Sequence, residues 1–240
     1  MKILAVDTST RAESVAILED EIVLAEVYTT SEQTHAKRLM SSIDTTLCMA
    51  GIGAEACDAF AVTIGPGSFT GLRIGISTVK GLVFATGKPV AGVSSLDVLA
   101  HQFPQCRHLV CPVLDARKGQ VYTALYECGD DMRLTKLVDD CAIEPEKWLK
   151  QIEQPCLFVG DGIAVYGDLI KEALGERALF APSYLNTVRA SAVAAAGMKQ
   201  IVERRDVDVA VLEPYYIRKS DAEIKMEDRS KLLTYGHLLI

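Results

Sequence analysis

The sequence predicts an α/β protein built from two copies of one βββαβα unit. Three observations carry that prediction. Apolar runs of strand length end in turn formers, and helix-period segments stand between them. The order of the N-terminal part then begins again: HLVCPVLDARKGQVYTALYE repeats the plan of MKILAVDTSTRAESVAILED, an apolar strand, an aspartate, a polar turn and a second strand. Asp115 stands in the second copy where Asp7 stands in the first. No linker rich in Pro, Gly or Ser separates the copies, so the units 1–103 and 104–218 are expected to pack together, followed by a tail, 219–240.

Taken in order, MKILAVDTS, SVAILED and EIVLAEVYT read as three strands in an antiparallel meander, because the connections between them are short and polar. Ser31–Met49 reads as a helix, with apolar or small residues at Ala36, Leu39, Met40, Ile43 and Leu47. Cys57–Ile64 is a strand, Ser68–Ala85 a helix, Lys88–Val93 a strand and Ser94–Gln102 a short helix. In the second copy a third strand is expected at Met132–Val138, a helix at Glu144–Ile152 and a strand at Cys156–Gly160. Helices at Ala164–Ala173 and Ala190–Glu203 complete it.

The 240 residues carry 25 Lys and Arg against 32 Asp and Glu, a formal charge of −7, with no long basic run. Neutralising a phosphate backbone needs clustered cations, so weak nucleic-acid affinity, for tRNA or DNA alike, is expected of this chain alone. Seven cysteines are scattered without a CxxC, several of them inside apolar runs, which points to a reducing compartment rather than a disulfide framework. The N-terminal apolar run ends at Asp7, too short for a signal peptide, and no segment has the length of a membrane span. A cytoplasmic, membrane-free protein is expected.

The stretch VTIGPGSFTGLRIGISTVKGL carries the strongest local signal. A glycine-rich loop opening a helix can present backbone N–H groups to an anion, with Gly67 and Ser68 at its mouth. The spacing is neither GxxxxGK[ST] nor GxGxxG, and the plainer reading is a tight turn with Ser68 as N-cap. Asp7, Thr8 and Ser9 could likewise hold a metal-bound water beside a phosphate, or simply end a strand. Asp161 in VGDG reads in the same two ways.

The helix after the loop has two rows. Leu72, Ile76, Val79 and Val83 form a bulky apolar row, and Gly71, Gly75, Thr78 and Leu82 form a row of mostly small residues beside it. Glycine costs a helix interior about 1 kcal/mol against alanine, so the glycines need a reason. Two facing rows suggest cover on more than one side. The expectation is that the small row meets the chain's own sheet, while Leu72, Ile76, Val79 and Val83, with Leu39 and Ile43 of the preceding helix, meet a partner. The opposite arrangement would bury the bulky row in the chain's own core.

The four histidines, 35, 101, 108 and 237, form no HxxxH, HExxH or Cys/His cluster with metal spacing. His35 on the polar flank of its helix is expected to be solvated. No GxSxG elbow is present. No catalytic or metal-ligating residue is therefore assigned.

Together, DTST, IGPGSFTGLRIG, GVSSLDVLA and LEPYYIR resemble the TsaB (YeaZ) family over nearly the whole chain, to about Arg218. The resemblance implies the ASKHA fold of actin, sugar kinases and Hsp70. It implies a part in forming N6-threonylcarbamoyladenosine at position 37 of tRNAs reading codons that begin with A. In that family the protein is the non-catalytic paralogue of TsaD, which transfers the threonylcarbamoyl group, and TsaE, an ATPase, joins the pair. TsaD-like chains carry an HxxxH metal pair whose positions here are Ser95 and Leu99, so a transfer centre is not expected. The resemblance further implies a heterodimer with TsaD through the first two helices, a homodimer without it, and tRNA contact only within the complex. No cofactor is expected to be required, with at most weak ATP or ADP binding in the complex. The rival readings are a small ASKHA kinase or ATPase, a metallopeptidase without a ligand set, and a self-sufficient RNA-binding module.

Overall fold

The computed structural model describes residues 1–129 and 133–218. The expected tail 219–240, and Met132 at the start of the predicted third strand, lie outside them.

The first half runs β1 (Lys2–Asp7), β2 (Ala12–Glu19), β3 (Ile22–Thr30), α1 (His35–Ala50), β4 (Ala59–Gly65), α2 (Phe69–Thr86), β5 (Val90–Ser94) and α3 (Ser95–His101). Its strands form a five-stranded sheet in the order β3-β2-β1-β4-β5. The β1, β2 and β3 strands pair antiparallel, while β4 and β5 join in parallel. The second half runs β6 (Leu109–Arg117), β7 (Gln120–Cys128), β8 (Leu134–Ile143), α4 (Pro145–Leu149), β9 (Cys156–Val159), α5 (Ile163–Leu174), β10 (Ala178–Phe180) and α6 (Ala190–Val202). Its sheet order, β10-β9-β6-β7-β8, is that of the first sheet. Among the described residues each copy thus has five strands and three α-helices, and of these elements only the fifth strand of the second copy was not expected. In the second copy that strand is β10, three residues too short to show a period.

Both faces of the first sheet are buried. Along β1, Leu4 and Val6 join a cluster with Phe60, Val62 and the inner sides of α1 and α2. Ile3 and Ala5 face the other way, into a core shared with α3, α6 and the second sheet through Val110, Leu114, Tyr122 and Tyr126. This double burial explains why β1 and β4 read as continuous apolar runs rather than alternating ones.

The placement of α6 differs from the sequence expectation. It follows the second copy in the chain yet packs across β1, β2, β4 and β5 of the first sheet. Small residues allow this: Gly197 lies so close to Ala61 that any side chain there would collide with it. The first turn of α6 is also capped from the first sheet. Ala190 N–H donates to Ser14 Oγ at 3.0 Å and Ser191 N–H to Glu26 at 3.2 Å, which satisfies donors a helix start otherwise leaves open.

On the far side of the shared core, Lys136 Nζ lies 2.7 Å from both Asp97 of α3 and Asp140 of β8. The Tyr126 hydroxyl donates to Asp97 at 2.6 Å. These ties join the two halves at a second place, and burial first, then the Asp97 and Asp140 carboxylates around it, raise the pKa of the Tyr126 phenol.

Candidate functional site

Between the halves lies a cleft of about 590 Å³. The β1–β2 turn (Ser9, Thr10, Arg11), the start of α1 and the start of α2 form one wall. Asp115, Arg117 and Lys118 of the β6–β7 hairpin, Tyr122, Asp161 and Arg218 form the other. The duplication therefore brings Asp115 and Asp161 to face the Ser9 turn, although the chain separates them widely.

On the first wall Asp7 is fully buried. Its Oδ1 accepts from Thr63 Oγ at 2.7 Å and from the Ser9 amide at 3.1 Å. Its Oδ2 is buried without a partner among the described residues. Burial pushes the Asp7 carboxyl above the usual range despite the Ser9 hydroxyl and amide and the Thr63 hydroxyl beside it. Thr8 Oγ donates to the Gly71 carbonyl at 2.8 Å, and the Ser68 amide donates to the Ser9 carbonyl at 2.7 Å. Ser68 Oγ is engaged as N-cap, accepting from the Gly71 amide at 3.3 Å.

This geometry gives the glycines their reason. A methyl group at Gly71 would collide with the Thr8 carbonyl, and one at Gly75 with Thr8 Oγ. The helix start is pressed against the Asp7–Ser9 turn, and only residues without a side chain permit it. By contrast, a methyl group at Gly81 would meet nothing within 4 Å.

The small row thus meets the chain's own strand end, as expected, but the bulky row is not left for a partner. Leu72, Ile76, Val79 and Val83 are buried, as are Leu39 and Ile43. All but Leu72 belong to the cluster between α1, α2 and the first sheet. This corrects the expectation that these six side chains form an external interface. The helix rests on the sheet through a wide arc, with glycines toward Thr8 and branched residues toward Phe60 and Val62, so both rows face inward. The outward side of α2 carries Arg73, Ser77, Gly81 and Phe84. Phe84 is 71% exposed, and Met40 and Met49 on α1 are 51% and 64% exposed.

His35 is a second correction. It is not solvated but half-buried at the cleft, with Nε2 2.9 Å from the Thr10 carbonyl and Nδ1 3.1 Å from Glu13. Glu13 is fully buried and also accepts from Arg38 Nε at 3.2 Å and Ser42 Oγ at 2.7 Å. Burial pushes the Glu13 carboxyl up, but the donors His35, Ser42 and Arg38 outweigh it and hold the pKa below its ordinary value. Sequence reading missed Glu13, whose one signal was a charge inside an otherwise apolar strand.

Asp161 takes the place its strand end suggested. Its Oδ1 accepts from the Asp115 amide at 3.3 Å. Burial first, and the Asp115 and Asp7 charges after it, push its pKa up to about 6. Ser95 and Leu99 are both fully buried in and beside the shared core. Among the described residues no group of three His, Cys, Asp or Glu is placed to hold a metal ion.

The duplicated five-stranded sheets and the cleft between them define a protein of the ASKHA class. The activator of the 2-hydroxyisocaproyl-CoA dehydratase from Clostridium difficile, a structure with bound ADPNP, shares this fold at a TM-score of 0.52 and 12% identity, covering 85% of this chain and 97% of that one. On the first wall Asp7 is sealed inside, Thr8 and Ser68 are engaged within the chain, and the loop has no lysine. The family model for tRNA N6-adenosine threonylcarbamoyltransferase, TsaD, matches residues 23–226. The tRNA threonylcarbamoyladenosine biosynthesis protein TsaB of Bacillus subtilis is 32% identical over 96% of this chain and 100% of its own length. The structure of YeaZ from Pseudomonas aeruginosa superposes with a TM-score of 0.74 at 30% identity, covering 90% of this chain and 99% of that one. The chain belongs to the TsaB (YeaZ) family, within the wider threonylcarbamoyltransferase class.

Proposed function

We propose that this chain is the non-catalytic partner subunit of a TsaD-type transferase in forming threonylcarbamoyladenosine on tRNA, with TsaE as third member. Its family membership supports the role in that modification. The observation that carries the non-catalytic part is the pair Ser95 and Leu99. In the family resemblance they are the positions of the transferase's HxxxH pair, and here both are buried, Leu99 within packed apolar core. A leucine side chain offers no ligand atom, and His101, two residues on, has its Nδ1 against the Asp97 carbonyl.

The docking face in this reading is the outward side of α1 and α2. Ser77 and Gly81 leave room for a partner helix to approach closely, while Met40, Met49 and Phe84 supply apolar anchors. The same face serves a homodimer when the transferase is absent. No cofactor is required by this chain, ATP or ADP binds it weakly and only within the complex, and tRNA is held through the complex. The location is the cytoplasm; among the described residues no helix is long and apolar enough to cross a membrane.

Assaying the purified chain for threonylcarbamoyl transfer, with and without a TsaD-type partner, tests this reading. Transfer is expected only with the partner, and transfer by the single chain sinks the proposal. The rival reading, a small nucleotide-hydrolysing enzyme, is favoured only by the cleft carboxylates Asp115 and Asp161. ATP turnover by the single chain would establish it.

A further inference from the structure

The duplication leaves the two sheets unequally covered. In the first half α1 and α2, of 16 and 18 residues, lie side by side on one face of the sheet. Their counterparts in the second half, α4 and α5, have 5 and 12 residues. The shortfall of α4 against α1 amounts to about 16 Å of helix at 1.5 Å per residue. A groove of about 460 Å³ opens between α4 and α5. Leu149, Ile152, Leu169 and Leu174 line it, all of them in or packed against the apolar cluster beneath this face. Glu146, Glu153 and Glu172 stand exposed on its rim. Of the two rim cations, Lys150 and Arg177, the second turns its Nη1 to the Ile152 and Glu153 carbonyls at 3.1 and 3.3 Å.

The path of the chain leads toward this groove. Arg218, the last described residue, has its Nη1 3.5 Å from Gln120 Oε1. The Gln120 carbonyl in turn accepts from the Tyr166 hydroxyl of α5 at 3.5 Å. From Tyr166 to Leu174, at the far end of the groove, is about 12 Å along the helix. Residues 219–240 lie outside the described residues, but their sequence supplies what the groove lacks. LLTYGHLLI, 232–240, holds five aliphatic side chains in nine residues, which gain by leaving water for another apolar surface. Arg229 and Lys231 stand directly before it, opposite in sign to the three rim glutamates. The 13 residues 219–231 can extend to about 43 Å, well beyond the length of α5 to be covered.

We propose that residues 232–240 dock into the α4–α5 groove of their own chain, giving the cover that the short α4 does not. Their leucines lie over Leu149, Ile152, Leu169 and Leu174, and Arg229 and Lys231 meet the rim glutamates. The docking belongs to the second half, away from the outward side of α1 and α2. It is independent of the partner-subunit reading, and neither requires the other.

Hydrogen–deuterium exchange of the full chain, resolved by mass spectrometry, tests this. Amides in 232–240 should be protected in the parent. Leu233→Asp with Leu239→Asp should speed their exchange at least roughly tenfold, because charged side chains do not enter an apolar groove. Exchange should rise with it at 149–153 and 169–177 and stay unchanged in the first half. Glu153→Lys with Glu172→Lys alters exposed rim positions and should speed exchange of 232–240 about threefold. Added to the leucine variant, the same pair should have no further effect. A melting temperature near the parent's identifies each variant as folded. Parent amides in 232–240 that exchange as fast as a free peptide of that sequence overturn the proposal. A folded leucine variant whose groove segments exchange as in the parent overturns it equally. Protection found on α1 and α2 instead, or lost on dilution together with a dimer in size exclusion, assigns the segment to another face or to a second copy, and this too overturns it.

Discussion

Arg189 and Glu26 lie 163 positions apart, yet the guanidinium closes a two-pronged contact on the carboxylate, Nη2 at 2.8 Å and Nε at 3.2 Å. Glu26 sits on β3, and Arg189 is the residue just before α6. The same carboxylate accepts from the Ser191 amide and hydroxyl and from Ser14. Burial opposes ionisation of Glu26, but Arg189 and Ser191 outweigh it and hold its pKa below the ordinary value. The contact pins the last helix of the chain to the first sheet.

Arg189→Met should therefore cost about 1–3 kcal/mol, because it strips the strongest donor from a largely buried carboxylate. The figure stays at that level because the Arg189 side chain is itself 37% exposed and partly screened. Urea unfolding followed by Trp148 fluorescence and by far-ultraviolet circular dichroism measures it. The two probes should move together, since Trp148 lies in the second half and the shared core couples the halves.

The glycines of α2 should separate into two kinds. Gly75→Ala places a methyl group against Thr8 Oγ and should lower the melting temperature clearly. Gly81→Ala meets open space and should leave stability unchanged or raise it by up to about 1 kcal/mol, the helix-propensity difference. Equal loss in both variants would refute the close-approach account of this helix.

Two carboxyls should move stability with pH in opposite directions. The depressed pKa of Glu13 means that its network stabilises the fold above the ordinary value of 4.5, and this contribution is lost as pH falls through the lower folded value. Asp161 is the reverse case, raised from 3.8 to about 6, so its ionised form opposes folding at neutral pH. Asp161→Asn keeps an oxygen for the Asp115 amide and should stabilise the chain at pH 7.5 by roughly 1–3 kcal/mol. That advantage should shrink below pH of about 6 and vanish near 3.8. Melting curves of parent and variant across this range decide it.

Charges on the two sides of α2 should have different consequences. Ile76→Asp with Val79→Asp buries carboxylates in the chain's own core and should unfold it. Phe84→Asp with Met40→Asp should leave the melting temperature nearly unchanged and abolish pairing with the TsaD-type partner, read by size exclusion. A folded Phe84→Asp, Met40→Asp chain that still pairs would remove these helices from the docking face.

The sequence by itself determined every strand but β10, the two long helices of the first half and the duplicated plan. Each of these is written in local periodicity and in turn residues, which need no knowledge of neighbours. It also marked the glycines of α2 as anomalous and Asp7 and Asp161 as strand-end carboxylates. Only the tertiary structure decided which sides of α2 are buried, because a helix with a wide apolar arc has no single inward direction until the sheet beneath it is placed. The same limit hid the seat of α6 on the first sheet, the burial of His35 against Glu13 and the strand β10. Each depends on residues far apart in the chain meeting across a core, and no local pattern encodes that distance.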